Sequence, residues 1–419
     1  MDLTIKNVRL IKNGAAEVGD IYIKSDKISS EEIPGAKVID GKGKFATPGF
    51  INAHTHASMT LLRSYADDKP LMDWLQKDIW PIEDKMRRRD IYNGAALAAV
   101  EMIKGGTTTF ADMYGPCMEE VAKVVDESGL RGVLSRGIIG FADGDKKLAD
   151  NEELYKNWHG AANGRITIMF GPHAIYTCPP DFLKKVVNSA AKLNAEIHMH
   201  MNETQGEIDD CIKNYGKRPF EVVTETGLLD FGMLAAHCVH LNDAEIEIIK
   251  DKKVRVAHNP GSNLKLASGI APVTKLLLAG ITVGIGTDGA SSNNNLDMLE
   301  ETRLAALLAK VESNNASSVS ARQALEMATE QGAKSVGLEK VGRLEADYKA
   351  DIVLWNMNDV EWYPPKNPVS LLVYSANSSS ADTVIVDGQI LMENRELKTL
   401  DEEKIKAEFM QSVARLTGK

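Results

Sequence analysis

Two histidines spaced two apart, His54 and His56 in NAHTHA, put both imidazoles on the same side of an extended strand. Such a pair can grip one metal ion from a strand end. His198 and His200 repeat the spacing in HMHMNE; His200, nearer the strand end, is the expected third ligand, and His198 reads as a core histidine one layer deeper. Asp288 in GIGTDG supplies a fourth ligand. Three imidazoles and a carboxylate, with no thiolate, suit one Zn²⁺, with Fe²⁺ the alternative. A water would complete an open site, and the ion would bring that water's pKa toward ~7. Glu203, three residues beyond His200, is placed to shuttle protons. His237 in LAAHCV is placed to orient and polarise the attacking water, or else to ligate a second metal. A second metal commonly needs a carboxylated lysine at the end of the fourth strand. That strand ends Phe170-Gly171-Pro172-His173, so one ion is expected. His258 in AHNPGSN reads as structural, shaping its loop.

These groups must be brought together by the elements that carry them. Eight apolar, strand-like runs, GFINAH, TTTFAD, GVLSRG, TIMFGPH, EIHMH, MLAAH, VRVAH and TVGIGTD, are separated by helix-like stretches such as RDIYNGAALAAVEMIKGG and LDMLEETRLAALLAKV. The runs are rich in Ile, Val, Ala and Gly, as strands covered on both faces are. Eight strand–helix units predict an α/β fold, a closed (β/α)8 TIM-type barrel, whose chemistry sits at the C-terminal strand ends. The histidines fall there: His54, His56, His173, His198, His200, His237 and His258. The two chain ends are β-rich, with LTIKNVRLI, GDIYIKSDKI and AKVIDGKGKF early and KADIVLWNM and ADTVIVDGQI late, broken by turns such as Asn13-Gly14 and Pro34-Gly35. They predict a small β-sandwich built from both termini. The expected bounds are 1–47 for its first part, 48–344 for the barrel, and 345–419 for its second part and a terminal helix.

Composition narrows the class. Of 419 residues, 43% are hydrophobic and 26% charged, the balance of a globular chain with a large core. A net charge of −10 argues against a nucleic-acid partner. The first residues, MDLTIKNVRL, lack the apolar core of a signal peptide, and no apolar run is long enough for a membrane span. Cys117, Cys178, Cys211 and Cys238 are scattered without C-x-x-C pairing, as in a reduced, cytoplasmic protein. The apolar helix GAALAAVEMI packs on the barrel or makes subunit contacts, which leaves a homo-oligomer open.

In PGFINAHTH, HMHMNE, LAAHCVHL, VAHNPGSNLKLASG and GIGTDGASSNNNLDM, together with the paired β-rich ends, the chain resembles the amidohydrolase superfamily over essentially its whole length. TLLRSYADDKPLMDWLQKDIWPIE and GPHAIYTC are most similar to its 5-methylthioadenosine/S-adenosylhomocysteine deaminase group. The resemblance implies metal-dependent deamination of an adenine nucleoside to the inosine analogue and ammonia. It assigns His54, His56, His200 and Asp288 to the metal, Glu203 to acid–base chemistry and His237 to the place beside the nucleophilic water. It further assigns Glu83 to the ribose hydroxyls, His173 to another substrate contact, and Arg136 to the carboxylate of a homocysteine tail. Trp80 is placed to pack near the nucleoside, and Asp288 to take the hydroxyl proton. Deamination of guanine or cytosine, or triazine hydrolysis, is the alternative on the same barrel. The sequence departs from the group in one respect: no arginine lies between Gly137 and Gly164 to complete a carboxylate clamp, only Lys146 and Lys147 nearby. Lysine lacks the planar two-donor fork, so smaller-tailed nucleosides are the expected preference.

Overall fold

A computed structural model describes residues 2–12, 14–141 and 143–418; of the expected Asn13-Gly14 turn, Asn13 lies outside them. The first strands are β1 (Leu3–Lys12), β2 (Ala15–Lys24), β3 (Lys27–Ser29), β4 (Lys37–Asp40) and β5 (Lys44–Pro48); Val8 and Leu10 of β1 and Ile21 and Ile23 of β2 are buried at alternate positions, while β5 is buried through Phe45–Thr47. That period of two fits a sheet with one face on a core.

The eight strand-like runs then form β6 (Phe50–His56), β7 (Thr107–Tyr114), β8 (Arg131–Ile138), β9 (Ile166–Pro172), β10 (Ile197–Met201), β11 (Met233–His237), β12 (Arg255–His258) and β13 (Val283–Ile285). All are parallel, and β13 pairs with β6 to close the barrel. Along β7 and β8, Ala111 and Val133 join an interior apolar cluster, while their neighbours Phe110 and Leu134 join the core beneath the helices. Covering both faces explains the near-continuous apolar strands.

The eighth run does not stay one strand. It breaks after β13 and resumes as β14 (Asp288–Gly289), which pairs with Thr55 and His56. The cause is close packing at Gly286, where a Cβ would lie 2.7 Å from the His54 backbone N and O. Asn52 bridges the break: its Nδ2 donates to Thr287 Oγ1 (2.8 Å) and its Oδ1 accepts the Thr287 N–H (3.0 Å). The break turns Asp288 toward the histidines of β6.

The late strands β15 (Ile352–Asn356), β16 (Ala381–Val386), β17 (Gln389–Glu393) and β18 (Glu396–Leu397) join the early ones in a second, mixed sheet. Its seam is the antiparallel pairing of β5 with β15, so both chain ends build one body. Trp355 of that seam stacks obliquely on Phe50 of the barrel at 5.2 Å. The expected helix RDIYNGAALAAVEMIKGG is Arg88–Lys104, and its apolar face is covered within the chain by its neighbours. One of these is the terminal helix Glu402–Thr417, which returns to the barrel; Asn93 Nδ2 donates to Ser412 Oγ (2.9 Å), and Arg415 pairs with Asp90. No helix among the described residues is long and apolar enough to cross a membrane.

Candidate active site and metal centre

The C-terminal ends of β6, β10, β11 and β14 bring His54, His56, His200, His237 and Asp288 to one point. The Nε2 atoms of His56 and His200 are 3.3 Å apart. Asp288 Oδ1 lies 3.4 Å from His54 Nε2 and 3.1 Å from His56 Nε2. The candidate donor atoms of His54, His56 and His200 all lie within 4.8 Å of one another, as do those of His54, His237 and Asp288.

The outer ring nitrogens say which atoms carry hydrogen. His200 Nδ1 donates to the His173 carbonyl (2.8 Å), and His56 Nδ1 to the Met113 carbonyl. His54 Nδ1 meets His198 Nε2 (2.8 Å), and His198 Nδ1 faces Ser135 Oγ (3.5 Å), whose hydroxyl donates to the Asp112 carbonyl (3.2 Å). Followed outward, this chain assigns the proton of His54 to Nδ1. Three Nε2 lone pairs and a carboxylate oxygen therefore converge with no hydrogen among them, and His54 Nε2 is buried without a hydrogen-bond partner. Positive charge, whether a metal ion or a proton on His56, satisfies that arrangement. Burial pulls His54 down to about 4 and His200 well below the usual imidazole range. The need for positive charge shows at His56: although burial pulls it down, Asp288 and Asp112 draw it up to about 9. Burial alone would raise Asp288, yet its contacts with His54 and His56 hold it well below the usual carboxylate range. The residues fit a divalent metal ion. His198 is the buried core histidine expected, and it also orients His54.

Around this point stand further titratable and polar groups. Glu203, just beyond β10, is buried and raised by burial; its Oε2 lies 3.9 Å from His237 Nε2. His237 donates its Nδ1–H to Asn263 Oδ1 (2.8 Å), which leaves Nε2 an acceptor. Asp288 Oδ2 accepts from Ser262 (2.6 Å) and Ser292 (2.9 Å). These supporting residues were not singled out from the sequence, although two polar clusters, NPGSN and SSNNN, marked their loops. Backbone φ values of +72° at His237 and +59° at Asp288 place both in the left-handed region, strained for side chains of this size.

A cavity of about 360 Å³ opens over the cluster, and its wall includes Trp80, Glu83, Arg136, His173, Glu203 and Lys147. Of the residues expected at the site, His56, Trp80, Glu83, Arg136, His173, His200, Glu203, His237 and Asp288 line this cavity, and His54 lies buried beneath it. Tyr114 donates to Glu83 Oε1 (2.7 Å), and burial pushes the Glu83 carboxyl up to about 7. His173 donates Nδ1–H to Thr177 Oγ1 (3.1 Å); burial holds it near 3, a neutral acceptor. Arg136 gives Nη1–H to the Gly137 carbonyl (2.7 Å), but its buried Nε has no partner, and no described carboxylate pairs with it. Lys147 also has no ion-pair partner among the described residues, and burial and then the Arg136 charge lower its pKa. His258 is buried with Nδ1 unpartnered and is not among the candidate metal donors.

The Amidohydrolase family matches residues 45–391. A protein of Pelotomaculum thermopropionicum named 5-methylthioadenosine/S-adenosylhomocysteine deaminase is 50% identical over 416 residues, 97% of this chain and 96% of its own. Among solved structures, an adenosine deaminase from Xanthomonas campestris with bound zinc superposes with a TM-score of 0.95 at 33% identity, over 100% of this chain and 99% of that one. An atrazine chlorohydrolase from Arthrobacter aurescens complexed with zinc gives 0.91 at 26% identity, over 98% and 100%.

Proposed function

Because the chain belongs to the amidohydrolase family, we propose that it hydrolyses the amino group of adenine nucleosides, giving the inosine analogue and ammonia. The substrates are 5-methylthioadenosine, S-adenosylhomocysteine and their close analogues. The observation that carries this reading is one cavity holding three kinds of group: a cation-demanding cluster, a raised carboxyl beside it, and a carboxylate with a free oxygen for a diol. The relative at 50% identity supports the substrate.

His54, His56, His200 and Asp288 would hold one Zn²⁺ per subunit. Such an ion supplies the Lewis acidity that makes water a nucleophile at neutral pH. Glu203, its pKa raised by burial, protonates the ring nitrogen beside carbon 6 and makes that carbon electrophilic. His237 Nε2 accepts a hydrogen bond from the attacking water and fixes its direction. Asp288 takes one proton from the attacking water and passes it to the amino group, which leaves as ammonia, while the second water proton returns to Glu203 as the carbonyl forms. His173, neutral and accepting, meets the substrate beside this centre, and the Trp80 ring packs near the nucleoside. Glu83 accepts from the ribose hydroxyls through Oε2, since Oε1 is held by Tyr114.

At the tail end, Arg136 is buried with no carboxylate partner and Lys147 stands in the same wall. These two cations favour a substrate that places a carboxylate between them, because leaving the buried Arg136 charge unpaired is costly. This supports S-adenosylhomocysteine as a substrate despite the missing second arginine. The four free cysteines suit a reducing compartment, the cytoplasm.

Ammonia release from zinc-loaded protein tests the reading across adenosine, 5-methylthioadenosine, 5-deoxyadenosine, S-adenosylhomocysteine, guanine and cytosine, with chloride release read for atrazine. Turnover of the nucleosides, lost to a chelator and restored by zinc, is the expected result. Turnover of guanine, cytosine or atrazine alone would replace it.

A further inference from the structure

Glu207 lies in the first turn of the helix Gln205–Tyr215 and is 5% exposed. A glutamate at this position ordinarily reaches back to the N–H of the residue capping its own helix. Glu245 does so at Asn242 (3.2 Å) and Glu221 at Arg218 (2.8 Å). Glu207 does not. Its helix is capped by Thr204, whose Oγ1 accepts the Glu207 N–H (3.2 Å). The carboxylate reaches further, to the two residues that follow β10: Oε1 accepts the Asn202 N–H (3.0 Å) and Oε2 the Glu203 N–H (2.8 Å).

The peptide held this way is a junction. Asn202 has φ +53°, in the left-handed region. Its carbonyl accepts the N–H groups of Val239 (3.0 Å) and His240 (2.9 Å) in the turn after β11. Its Nδ2 donates to the His240 carbonyl (3.1 Å) and to Glu245 Oε1 (2.9 Å), and Glu245 Oε2 accepts Arg218 Nε–H (2.9 Å). The turns that carry Glu203 and His237 are therefore stitched to each other, with Glu207 under one and Glu245 with Arg218 under the other. Left to itself, a turn with positive φ relaxes, and small displacements of catalytic groups are costly in rate.

We propose that Glu207 is a positioning residue: it clamps the peptide groups of Asn202 and Glu203 so that the Glu203 carboxyl keeps its 3.9 Å separation from His237. It does so without lining the substrate cavity over the cluster. The proposal rests on the reading of Glu203 as the proton carrier.

Glu207→Gln preserves volume but turns a side-chain NH₂ toward one of the two peptide N–H groups. In zinc-loaded protein, kcat for ammonia release falls about 10- to 100-fold while KM stays within about threefold. Bound metal per subunit is unchanged, and the acid limb of the kcat–pH profile moves. Independently of turnover, the amides of Asn202 and Glu203 exchange hydrogen about tenfold faster or more, while those of β7 and β8 do not. Glu207→Asp gives a smaller change of the same kind and carries the test if the glutamine variant does not fold. A wild-type kcat in Glu207→Gln overturns the proposal, as does a loss of rate that tracks lost metal or faster exchange throughout the barrel. Wild-type protein inactive on every adenine nucleoside would instead remove the substrate assignment. The same variant ratio is then read on whichever compound of the panel is turned over, beside the exchange rates.

Discussion

At the N-terminal end of the barrel strands, Ile51, Ala111, Val133, Leu234 and Ala257 pack against Ala333, Val336 and Val341, which plug the floor. The charge that lies there is matched. Arg131 is 3% exposed, and its Nε donates to Asp351 Oδ2 (3.1 Å) and its Nη2 to Asp387 Oδ1 (2.6 Å); Asp351 Oδ1 also accepts the Asp387 N–H (2.8 Å). This cluster ties the barrel to the mixed sheet. The C-terminal end is built differently: His54 Nε2, Arg136 Nε, Asp112 Oδ2 and Asn263 Nδ2 are buried without partners, and His237, Cys238 and Asp288 have positive φ. The floor's Arg131 cluster completes itself, although Thr107 Oγ1 and Arg255 Nε at that end also lie buried without partners; at the mouth the unpartnered atoms include a candidate metal donor, His54 Nε2. Stability and reactivity are thus assigned to opposite ends of the same eight strands.

That division predicts which property each substitution changes. Glu203→Gln keeps the shape of the mouth and removes its proton. It lowers kcat about 10³- to 10⁴-fold with an unchanged melting temperature, read by ammonia release and calorimetry. A comparable loss of stability would mean that the mouth also holds the fold. Arg131→Met does the reverse. It strands two carboxylates, one of them fully buried, and costs about 3–5 kcal/mol of unfolding free energy, while kcat of the folded fraction stays at the wild-type value. Pairing it with Asp351→Asn recovers part of the loss, and chemical denaturation reads both. Glu83→Ala sits on the rim of the comparison. The KM for adenine nucleosides rises about 10- to 100-fold, the cost of an unpaired diol, and inhibition by free adenine is unaffected.

The sequence made the mouth more legible than the floor. His54 with His56, His200 with Glu203, and Asp288 lie in short local motifs whose strand-end placement follows from the period of two. Every one of the eight strand-like runs forms a strand of the barrel. What could not be read was contact between distant segments. Nothing in RGVLSRG reveals that Arg131 pairs with Asp351, 220 residues later. The break in TVGIGTD depends on the His54 backbone passing Gly286, which only three-dimensional packing imposes. Glu207 carries no local signal of its contacts, because its reach to the Asn202 and Glu203 amides depends on a positive φ that no local pattern specifies. Lys147 was noticed only as a lysine near a missing arginine, and its place in the cavity wall comes from the fold of its loop.

Glu301 gives the sharpest test of where the two ends meet. Its carboxylate joins the loops after β12 and β14, accepting the Gly261 N–H (2.8 Å) and Asn293 Nδ2–H (2.9 Å), and burial pushes it up to about 8. The folded protein therefore holds a proton that the unfolded chain, near the ordinary 4.5, has released. Between those values the native state binds more protons than the unfolded one, so stability is full below about 4.5 and declines as pH rises toward about 8. Glu301→Gln, which carries no charge, flattens that decline, which a shift of this size sets at about 5 °C in melting temperature across the window. Both its hydrogen bonds serve the mouth, since Asn293 also donates to the Thr287 carbonyl (2.7 Å) beside Asp288. A flattened pH profile with kcat unchanged would place Glu301 with the stabilising floor. A fall in kcat alongside it would show that the supporting network of the mouth extends to the outer helix Met298–Glu312.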